Sequence, residues 1–392
     1  MLRLISIWEV FMEHRSGRYV ANLSGETQYK SFSPSPLPPN PEIKIDFEMM
    51  NLVSESNRVV GVLEGRSRSI PNIDLFVAMY IRKEALLSSQ IEGTQATLDD
   101  ILDPDIDKNI NLDVTEVLNY IKASKYGVER LKSLPLSNRF LKEIHQELMN
   151  TGRGSEKEPG EFRRSQNWIG PVGSTIRNAR YIPPNLEDMF EALYALEAFM
   201  NDDHELDPFI KIGLIHYQFE TIHPFLDGNG RVGRLLILLF LIEKKVLTHE
   251  VLYISYFLKR NRYEYYERLM EVRQNGNYEQ WVKFFLRAII DSAMDSLQSI
   301  DAITQLHKKN KALIEYGNVR AVGTYLKLLA YLEEHPIIDI TKASIDLDMS
   351  YNAISSAVKK FMEIEILVQN GNKRRNKVYA YEAYLQILRK DT

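Results

Sequence analysis

The spacing of hydrophobic residues predicts a mainly helical protein. Over long stretches from residue 47 onward, apolar positions recur every three or four residues, which is the period of an amphipathic helix. The helices predicted before residue 223 are Phe47 to Glu64, Ile73 to Ile91, Val114 to Leu131, Asn138 to Met149, Leu186 to Met200 and Pro208 to Ile222. The run from Val232 to Ile242 is almost wholly apolar, so it predicts a helix buried in the core.

Two segments depart from this helical period. Ser31 to Pro41 contains repeated prolines, which disfavour both helix and sheet, so we expect an extended, polyproline-like chain on the surface. Between Pro159 and Pro184, turn-forming residues separate two short apolar and aromatic runs. This second pattern predicts a small β-hairpin with an open loop.

From Val319 onward the pattern indicates a separate small unit. It predicts, in order, a helix at Ala321 to Glu334, short helices at Ile340 to Leu347 and Ser350 to Ile364, and strands at Ile366 to Val368 and Val378 to Tyr381. The strands enclose a basic turn, Lys373 to Lys377. Two short helices followed by a two-stranded wing resemble a winged-helix domain of the α+β class.

The resemblance to a winged helix implies a partner for this unit. Its recognition helix would present Tyr351, Asn352, Ser355, Ser356, Lys359 and Lys360. Winged helices bind DNA or dock other proteins, and a basic β-turn often forms only a solvated tip. We therefore rank a protein partner, or dimerisation, above sequence-specific DNA binding.

Length and composition limit the number of domains and the kinds of partner that the protein can have. With 392 residues and 44% hydrophobic content, the chain exceeds one typical domain. We predict an N-terminal helical unit over 1–110, a central, mainly helical core over 111–303 and a C-terminal unit over 304–392. A net charge of −4 gives no overall field toward nucleic acid or anionic membrane, and the lack of cysteine excludes disulfides and thiolate metal sites. Without an apolar run of membrane-spanning length or a cleavage-like N-terminal signal, we expect a cytoplasmic protein.

Residues 223–234, which read HPFLDGNGRVGR, contain the highest density of chemically useful groups. Gly228 and Gly230 allow positive φ and close approach of a ligand, so their amides can form an anion nest at the start of the predicted buried helix. Arg231 and Arg234 are three residues apart, so both can reach one phosphate ligand in forked bonds. The stretch therefore predicts a polyphosphate site.

Two further side chains in this stretch suit phosphate chemistry. Asp227 is a hard carboxylate beside the nest and can bind Mg²⁺, which needs few protein ligands. His223 has an unperturbed pKa near neutrality and can accept a proton from an attacking hydroxyl. The Walker A loop and the protein kinase motifs are both absent.

The stretch resembles the signature of the Fic family, H-x-F-x-[D/E]-G-N-G-R-x-x-R, and matches every fixed position. The resemblance implies a helical catalytic core with a small β-hairpin flap. It also implies an enzyme that uses Mg²⁺ and moves AMP from ATP to a hydroxyl side chain of a target protein or of itself, releasing pyrophosphate.

The resemblance also assigns a role to each residue of the motif. His223 is the implied general base, Asp227 the Mg²⁺ ligand and Phe225 the anchor of the loop. Asn229 and its neighbouring amides would hold the α-phosphate, and Arg231 and Arg234 the β- and γ-phosphates. The complete implied ATP-binding set is Gly228, Asn229, Gly230, Arg231, Val232, Gly233, Arg234, Tyr265 and Tyr266, with the two tyrosines against adenine.

A second motif lies upstream, in the sequence SSQIEG over residues 88–93. It resembles the Fic inhibitory motif [S/T]-x-x-x-E-[G/N], with Ser88, Glu92 and Gly93 at its fixed positions. The resemblance implies that Glu92 pairs with Arg234 and so restrains the enzyme within one molecule. The hairpin over 159–184 matches the Fic flap, which docks the target's backbone as an added strand.

Several alternatives stay open from the sequence. Glu92 could position a water that removes AMP from modified proteins, or the nucleotide site could be a sensor in a DNA-binding regulator. His216, seven residues before His223, is expected in the core. The sequence leaves open the target protein, the type of hydroxyl that is modified, the nucleotide and the oligomeric state, although a homodimer is consistent with the family.

Overall fold

The computed structural model of the protein confirms a mainly helical fold with small antiparallel sheets. It describes residues 15–68, 70, 73–103, 111–171, 173–202, 206–317, 321–370 and 377–390. Before the site, the elements are β1 (Gly17–Asn22), β2 (Tyr29–Pro34), α1 (Phe47–Ser67), α2 (Ile73–Ile91), α3 (Leu98–Leu102), α4 (Leu112–Arg130), α5 (Asn138–Met149), α6 (Leu186–Asn201) and α7 (Pro208–Ile222). After it come α8 (Asn229–Glu243), α9 (Ser255–Arg260), α10 (Arg262–Asn275) and α11 (Tyr278–Gly317).

The two helices that flank the motif, α7 and α8, form the centre of the core. Every residue of α7 from Phe209 to Ile222 is buried, and α8 is buried along most of its length. The buried Trp281 of α11 donates its indole N–H to the backbone oxygen of Gly213 in α7, at 2.8 Å. The loop between these two helices is fixed at both ends, because a close-packed core has few voids into which either helix could shift.

The N-terminal segment corrects the expectation of an extended polyproline chain. Residues Ser31 to Pro34 belong to β2, which pairs antiparallel with β1 from Gly17 opposite Pro34 to Asn22 opposite Tyr29. The prediction for this part was wrong because a proline at the end of a strand in a two-stranded sheet removes no essential ladder bond. Phe32 of β2 is buried, its ring packs against Tyr181, and its backbone N–H donates to the oxygen of Ile182 at 3.0 Å.

The C-terminal part combines short helices with one sheet. Its elements are α12 (Val322–Glu334), β3 (Ile337–Asp339), α13 (Ile340–Asp346), α14 (Tyr351–Glu363), β4 (Val368–Asn370), β5 (Val378–Ala380) and α15 (Glu382–Arg389). The sheet has the order β3-β5-β4, so it includes a strand, β3, that the sequence pattern did not predict. Tyr351, Asn352, Ser356 and Lys359 are exposed on α14, and the basic turn falls largely in 371–376, outside the described residues.

Two other features bear on the predicted organisation. The expected hairpin of the flap is reduced to a single antiparallel bridge between Ile169 and Tyr181, so the prediction of two strands was wrong. Helix α11 is continuous across residue 303, where the sequence suggested a boundary between units. Among the described residues, no helix is both long enough and apolar enough to cross a membrane.

Candidate active site

The loop between α7 and α8 is held by buried contacts. His223 caps α7 in the left-handed region, with φ of 50°, and its backbone N–H donates to the oxygen of Phe219 at 2.9 Å. The ring of Phe225 is fully buried and stacks on His145 with 3.8 Å between ring centroids. The implied role of Phe225 as the anchor of the loop agrees with this packing.

Asn229 closes the loop through its side chain. Its carbonyl oxygen accepts from the backbone N–H of Phe225 at 2.9 Å, and its amide nitrogen donates to the backbone oxygen of Phe225 at 2.8 Å. Both ends of the buried side chain are thus engaged within the protein. The amide nitrogen carries a second N–H, so the implied contact of Asn229 with the α-phosphate stays a prediction.

The two glycines of the predicted nest differ in conformation. Gly228, with φ of 76°, is the N-cap of α8, whereas Gly230 lies in the first turn and has no positive φ. The expectation of positive φ at Gly230 was therefore wrong, while close approach of a ligand there stays a prediction. A Cβ at Gly230 would lie 2.2 Å from Oε1 of Glu92, so only glycine leaves room for this carboxylate.

Arg234 is buried, and two of its three side-chain nitrogens bond to the upstream motif. Its Nε donates to Oγ of Ser88 at 2.8 Å, and its Nη2 donates to the backbone oxygen of Ser88 at 2.9 Å and to Oε1 of Glu92 at 2.8 Å. Burial opposes the charges of this pair. The attraction between the carboxylate and the guanidinium outweighs this effect of burial, so the pKa of Glu92 is lowered and that of Arg234 is raised. Gly93 ends the motif with φ of 104°, which allows the chain to turn directly after Glu92.

A cavity of about 460 Å³ lies in front of this pair. Predicted site residues that line it are His223, Gly230, Arg234, Glu92, Tyr265 and Tyr266. The flap contributes the segment from Trp168 to Pro171 to the opposite wall. A cavity of this size is typical of small-ligand sites.

His223 faces this cavity as a neutral imidazole. Burial, reinforced by the guanidiniums of Arg273 and Arg163, lowers the pKa of His223 to about 3. Its Nδ1 is buried and has no hydrogen-bond partner within the described part of the chain. At neutral pH the imidazole is therefore in the form that can accept a proton.

The two tyrosines that the resemblance assigns to adenine, Tyr265 and Tyr266, both line the cavity. Tyr265 is buried, and its hydroxyl donates to Nε2 of His216 at 2.9 Å, which is possible because Nδ1 of His216 donates to the oxygen of Gly233 at 3.0 Å. His216 is fully buried, as predicted. Tyr266 is less buried and packs beside Tyr265 with 5.0 Å between centroids.

Five residues of the implied ATP set do not line this cavity, namely Gly228, Asn229, Arg231, Val232 and Gly233. Val232 has its side chain in the core. Arg231 points to Glu116 and Met149, with Nη1 3.9 Å from Oε2 of Glu116, and Asp227 also lies outside the lining. Arg231 and Arg234 therefore have different surroundings, although they are three residues apart. The Nε of Arg231 is buried without a hydrogen-bond partner among the described residues, so it has a donor to offer.

Asp227 is the acidic group nearest the start of α8. Its Oδ1 accepts from the backbone N–H of Gly228 at 2.6 Å, and its side chain is 43% exposed. No group of three or more His, Asp or Glu side chains suited to a metal occurs within the described ranges. A site for Mg²⁺ here would therefore rely on one carboxylate together with water and phosphate oxygens, which is usual for this ion.

Two positioning residues were not assigned roles from the sequence. Arg163, in the flap, is fully buried and donates from its Nε to the backbone oxygen of His223 at 3.1 Å. His145, in α5, contacts the backbone oxygen of Asp227 through Nε2 at 3.1 Å and accepts from the N–H of Gly160 through Nδ1 at 2.9 Å. Both contacts bridge the flap or α5 to the loop, and such distant pairings leave no local sequence signal.

The fold and site correspond to a known class of protein. Residues 50–129 match the Fic/DOC family N-terminal model, and residues 135–241 match the Fic/DOC family model. A crystal structure of a Fic family protein from Desulfovibrio desulfuricans G20 has the same fold, with a TM-score of 0.55 and 21% identity over 86% of this chain and 97% of that one. The chain therefore contains two regions that match models of the Fic/DOC family.

The curated relatives match only part of this chain, and this chain matches only part of them. The proteins called "Protein adenylyltransferase Fic" from Drosophila erecta and Drosophila melanogaster are each 27% identical over 172 residues. These matches cover 43% of this chain and 31% of each relative. The chain thus spans about a third of the length of the curated relatives that it matches.

Proposed function

We propose that the protein is a protein adenylyltransferase that moves AMP from ATP to a hydroxyl side chain of a target protein or of itself. The observation that carries this proposal is the cavity in which the neutral His223 and the engaged Arg234 face the same space. The names of the Drosophila relatives support the same reaction.

In the proposed reaction, the hydroxyl oxygen of the target attacks the α-phosphorus of ATP. A new oxygen–phosphorus bond forms, the bond to the bridging oxygen of the β-phosphate breaks, and pyrophosphate leaves. The imidazole of His223 accepts the hydroxyl proton. Because burial keeps this group neutral, no proton has to be removed from it before reaction.

The start of α8 supplies the charge stabilisation that phosphoryl chemistry requires. Its first amides and the positive end of its dipole attract phosphate oxygens. Mg²⁺ held by Asp227 would neutralise phosphate charge and assist departure of pyrophosphate. Arg231, with a buried donor to spare, and Arg234 would bind the outer phosphates.

We further propose that Glu92 restrains the enzyme. In the present arrangement two nitrogens of Arg234 are committed to Ser88 and Glu92. The carboxylate also sits directly over Gly230, where a phosphate would approach the first turn of α8. ATP could bind productively only after Glu92 has moved, so the resting protein would have low transferase activity.

A hydrolase that removes AMP from modified proteins is the second candidate. The side chain of Glu92 is 38% exposed and lines the same cavity as His223, so it could orient a water instead of only blocking phosphate. Replacing Glu92 separates the two functions. Release of transferase activity supports restraint, whereas loss of AMP removal from a modified protein supports the hydrolase.

The proposal is tested by incorporation of label from ATP carrying a labelled α-phosphate. We expect Glu92→Gly protein with Mg²⁺ to label itself or a protein in an added lysate, and wild-type protein to label weakly. The double variant Glu92→Gly with His223→Ala is the matched control and should not label. Equal labelling by the two variants would reject His223 as the base.

A further inference from the structure

Glu220 is a second acidic residue in the same cavity, and the reaction described above does not use it. It lies on α7, three positions before His223, and is 7% exposed. Its Oε1 is buried and has no hydrogen-bond partner within the described part of the chain. A buried carboxyl oxygen that accepts no hydrogen bond disfavours the ionised form, and the side chain that carries it lines the cavity, where a ligand can supply a hydrogen-bond partner.

The first two turns of α8 leave room for this carboxyl group. A Cβ at Gly233 would lie 2.4 Å from Oε1 of Glu220, and a Cβ at Gly230 would lie 2.2 Å from Oε1 of Glu92. Gly230 and Gly233 are three residues apart and thus on neighbouring positions of one helix face. The two bare glycines admit two carboxyl groups beside the guanidinium of Arg234.

The charged and titratable groups around Glu220 come from three other elements. Arg234 of α8 and Arg273 of α10 favour its ionised form, while Glu92, after α2, opposes it. Tyr265 of α10 and His223 at the end of α7 line the same cavity. Burial is the largest influence and raises the pKa of Glu220 to about 7.

The approach of a triphosphate changes the balance of these charges. An ionised Glu220 beside Arg234 would repel phosphate, and like charges at short range disfavour ionisation. A protonated Glu220 would instead donate its O–H to a phosphate oxygen. The role of Arg234 as a phosphate ligand, and hence this argument, rests on the proposed function.

We propose that the carboxyl group of Glu220 binds the triphosphate of ATP in its protonated form, so that nucleotide binding takes up a proton from solvent. The O–H bond forms with a proton from solvent, and no other covalent bond of the protein or the nucleotide is made or broken in the step. Gly233, implied by the family resemblance to be an ATP-binding position, then serves to make room for the carboxyl group of Glu220.

The test is the pH dependence of nucleotide affinity, measured by calorimetry with an ATP analogue that has a methylene bridge between its α- and β-phosphorus. In Glu92→Gly protein, we expect Kd to rise toward tenfold per pH unit between pH 7.5 and 9, because ionised Glu220 must first be protonated. Glu220→Gln, introduced together with Glu92→Gly, keeps the shape of the side chain and a hydrogen-bond donor but cannot ionise. It should bind with a Kd that changes much less over this range.

Two further measurements make the result specific. Titrations in two buffers with different ionisation enthalpies should show uptake of up to about one proton at pH 8 in Glu92→Gly protein, and a clearly smaller uptake after Glu220→Gln. Any change in protonation of the analogue itself contributes equally to both proteins, so it cancels in the comparison. Because these measurements follow binding, a failure of AMP transfer leaves them interpretable.

Glu84 provides the matched control. Burial also raises the pKa of Glu84 to about 7, and Arg234 is nearby, but Tyr120 and Ser255 donate to its carboxyl oxygens and it does not line the cavity. Glu84→Gln, added to Glu92→Gly, should therefore keep the pH dependence. An unchanged pH dependence after Glu220→Gln, or its loss after Glu84→Gln instead, would overturn the proposal.

Discussion

Glu92 and Arg234 form a hydrogen-bonded ion pair with 2.8 Å between Oε1 and Nη2, although they are 142 positions apart in the chain. The guanidinium is almost completely buried, while the carboxylate is partly open to the cavity. The anion can therefore leave more easily than the cation. This asymmetry makes Glu92 the movable partner and Arg234 the fixed one.

Neutralising Glu92 without changing its size should release the enzyme in part. Glu92→Gln keeps an oxygen acceptor for Arg234 but loses the charge that strengthens the bond. We expect AMP transfer between the levels of wild-type and Glu92→Gly protein, measured as initial rates of label incorporation. The exposed Glu129→Gln should leave the rate at the wild-type level. A Glu92→Gln rate equal to that of wild type would indicate that charge is not the basis of restraint.

Removing the imidazole should abolish chemistry but spare binding. In the Glu92→Gly background, His223→Ala should lower AMP transfer by about 10²- to 10⁴-fold, the usual contribution of a general base. Nucleotide affinity should change by less than about threefold, because base catalysis acts in the transition state. Rates and calorimetric Kd values check the two parts separately. A large loss of affinity would mean that His223 holds the nucleotide.

The environment of His223 also predicts a pH profile. Its pKa is lowered to about 3 in the free protein, and the active form of a base is the deprotonated one. Activity should therefore be lost only as pH falls toward this lowered value. We expect the transfer rate of Glu92→Gly protein at saturating ATP to change by less than about threefold between pH 7.5 and 6. A tenfold fall over this range would indicate a histidine with an ordinary pKa.

The loop should depend on the side chain of Asn229 for stability. Asn229→Ala removes both bonds to the backbone of Phe225 and leaves those groups buried without partners. We expect a loss of about 1–3 kcal/mol in the free energy of unfolding, together with reduced AMP transfer in the Glu92→Gly background. The exposed Asn150→Ala should cost less than about 0.5 kcal/mol. Denaturant titration measures both variants.

The metal prediction concerns Asp227. Chelation of Mg²⁺ should stop AMP transfer by Glu92→Gly protein, and readdition should restore it. Asp227→Asn should raise the Mg²⁺ concentration needed for half-maximal rate by about tenfold or more, because an amide is a weaker ligand for this hard ion than a carboxylate. A variant with an unchanged requirement for Mg²⁺ would remove Asp227 from the role of metal ligand.

The sequence predicted the helices of the core well. The bounds of α2, α5 and α7 agree with the predicted ranges. Helix α5 has a strong 3.6-residue period, and Asp207 followed by Pro208 gives α7 a clear start. The predicted helix after the motif began at Val232, but α8 begins at Asn229. A glycine-rich first turn has no apolar period, so periodicity could not find this start.

Strands were predicted less reliably than helices. The flap was expected as a hairpin and has only the bridge from Ile169 to Tyr181. Strand β3 depends on pairing with β5, which is distant in the chain, rather than on its own residues. Contacts of this kind decide β-structure but leave little local signal.

The motif predicted which residues meet but not how each is used. The pairing of Glu92 with Arg234 follows from the resemblance and is present in the structure. The different surroundings of Arg231 and the internal role of the Asn229 side chain depend on helices that are distant in the chain. Glu220 was not singled out because an acidic residue inside an apolar helix has no motif around it.

The most direct test of the account is mass spectrometry of Glu92→Gly protein after incubation with ATP, Mg²⁺ and cell lysate. We predict a mass gain of one AMP on a hydroxyl side chain of the protein itself or of a lysate protein, and much less with wild-type protein. The control with Glu92→Gly and His223→Ala together should show no gain. If the Glu92→Gly protein binds ATP but yields no AMP adduct on any protein, the proposed adenylyltransferase function is contradicted.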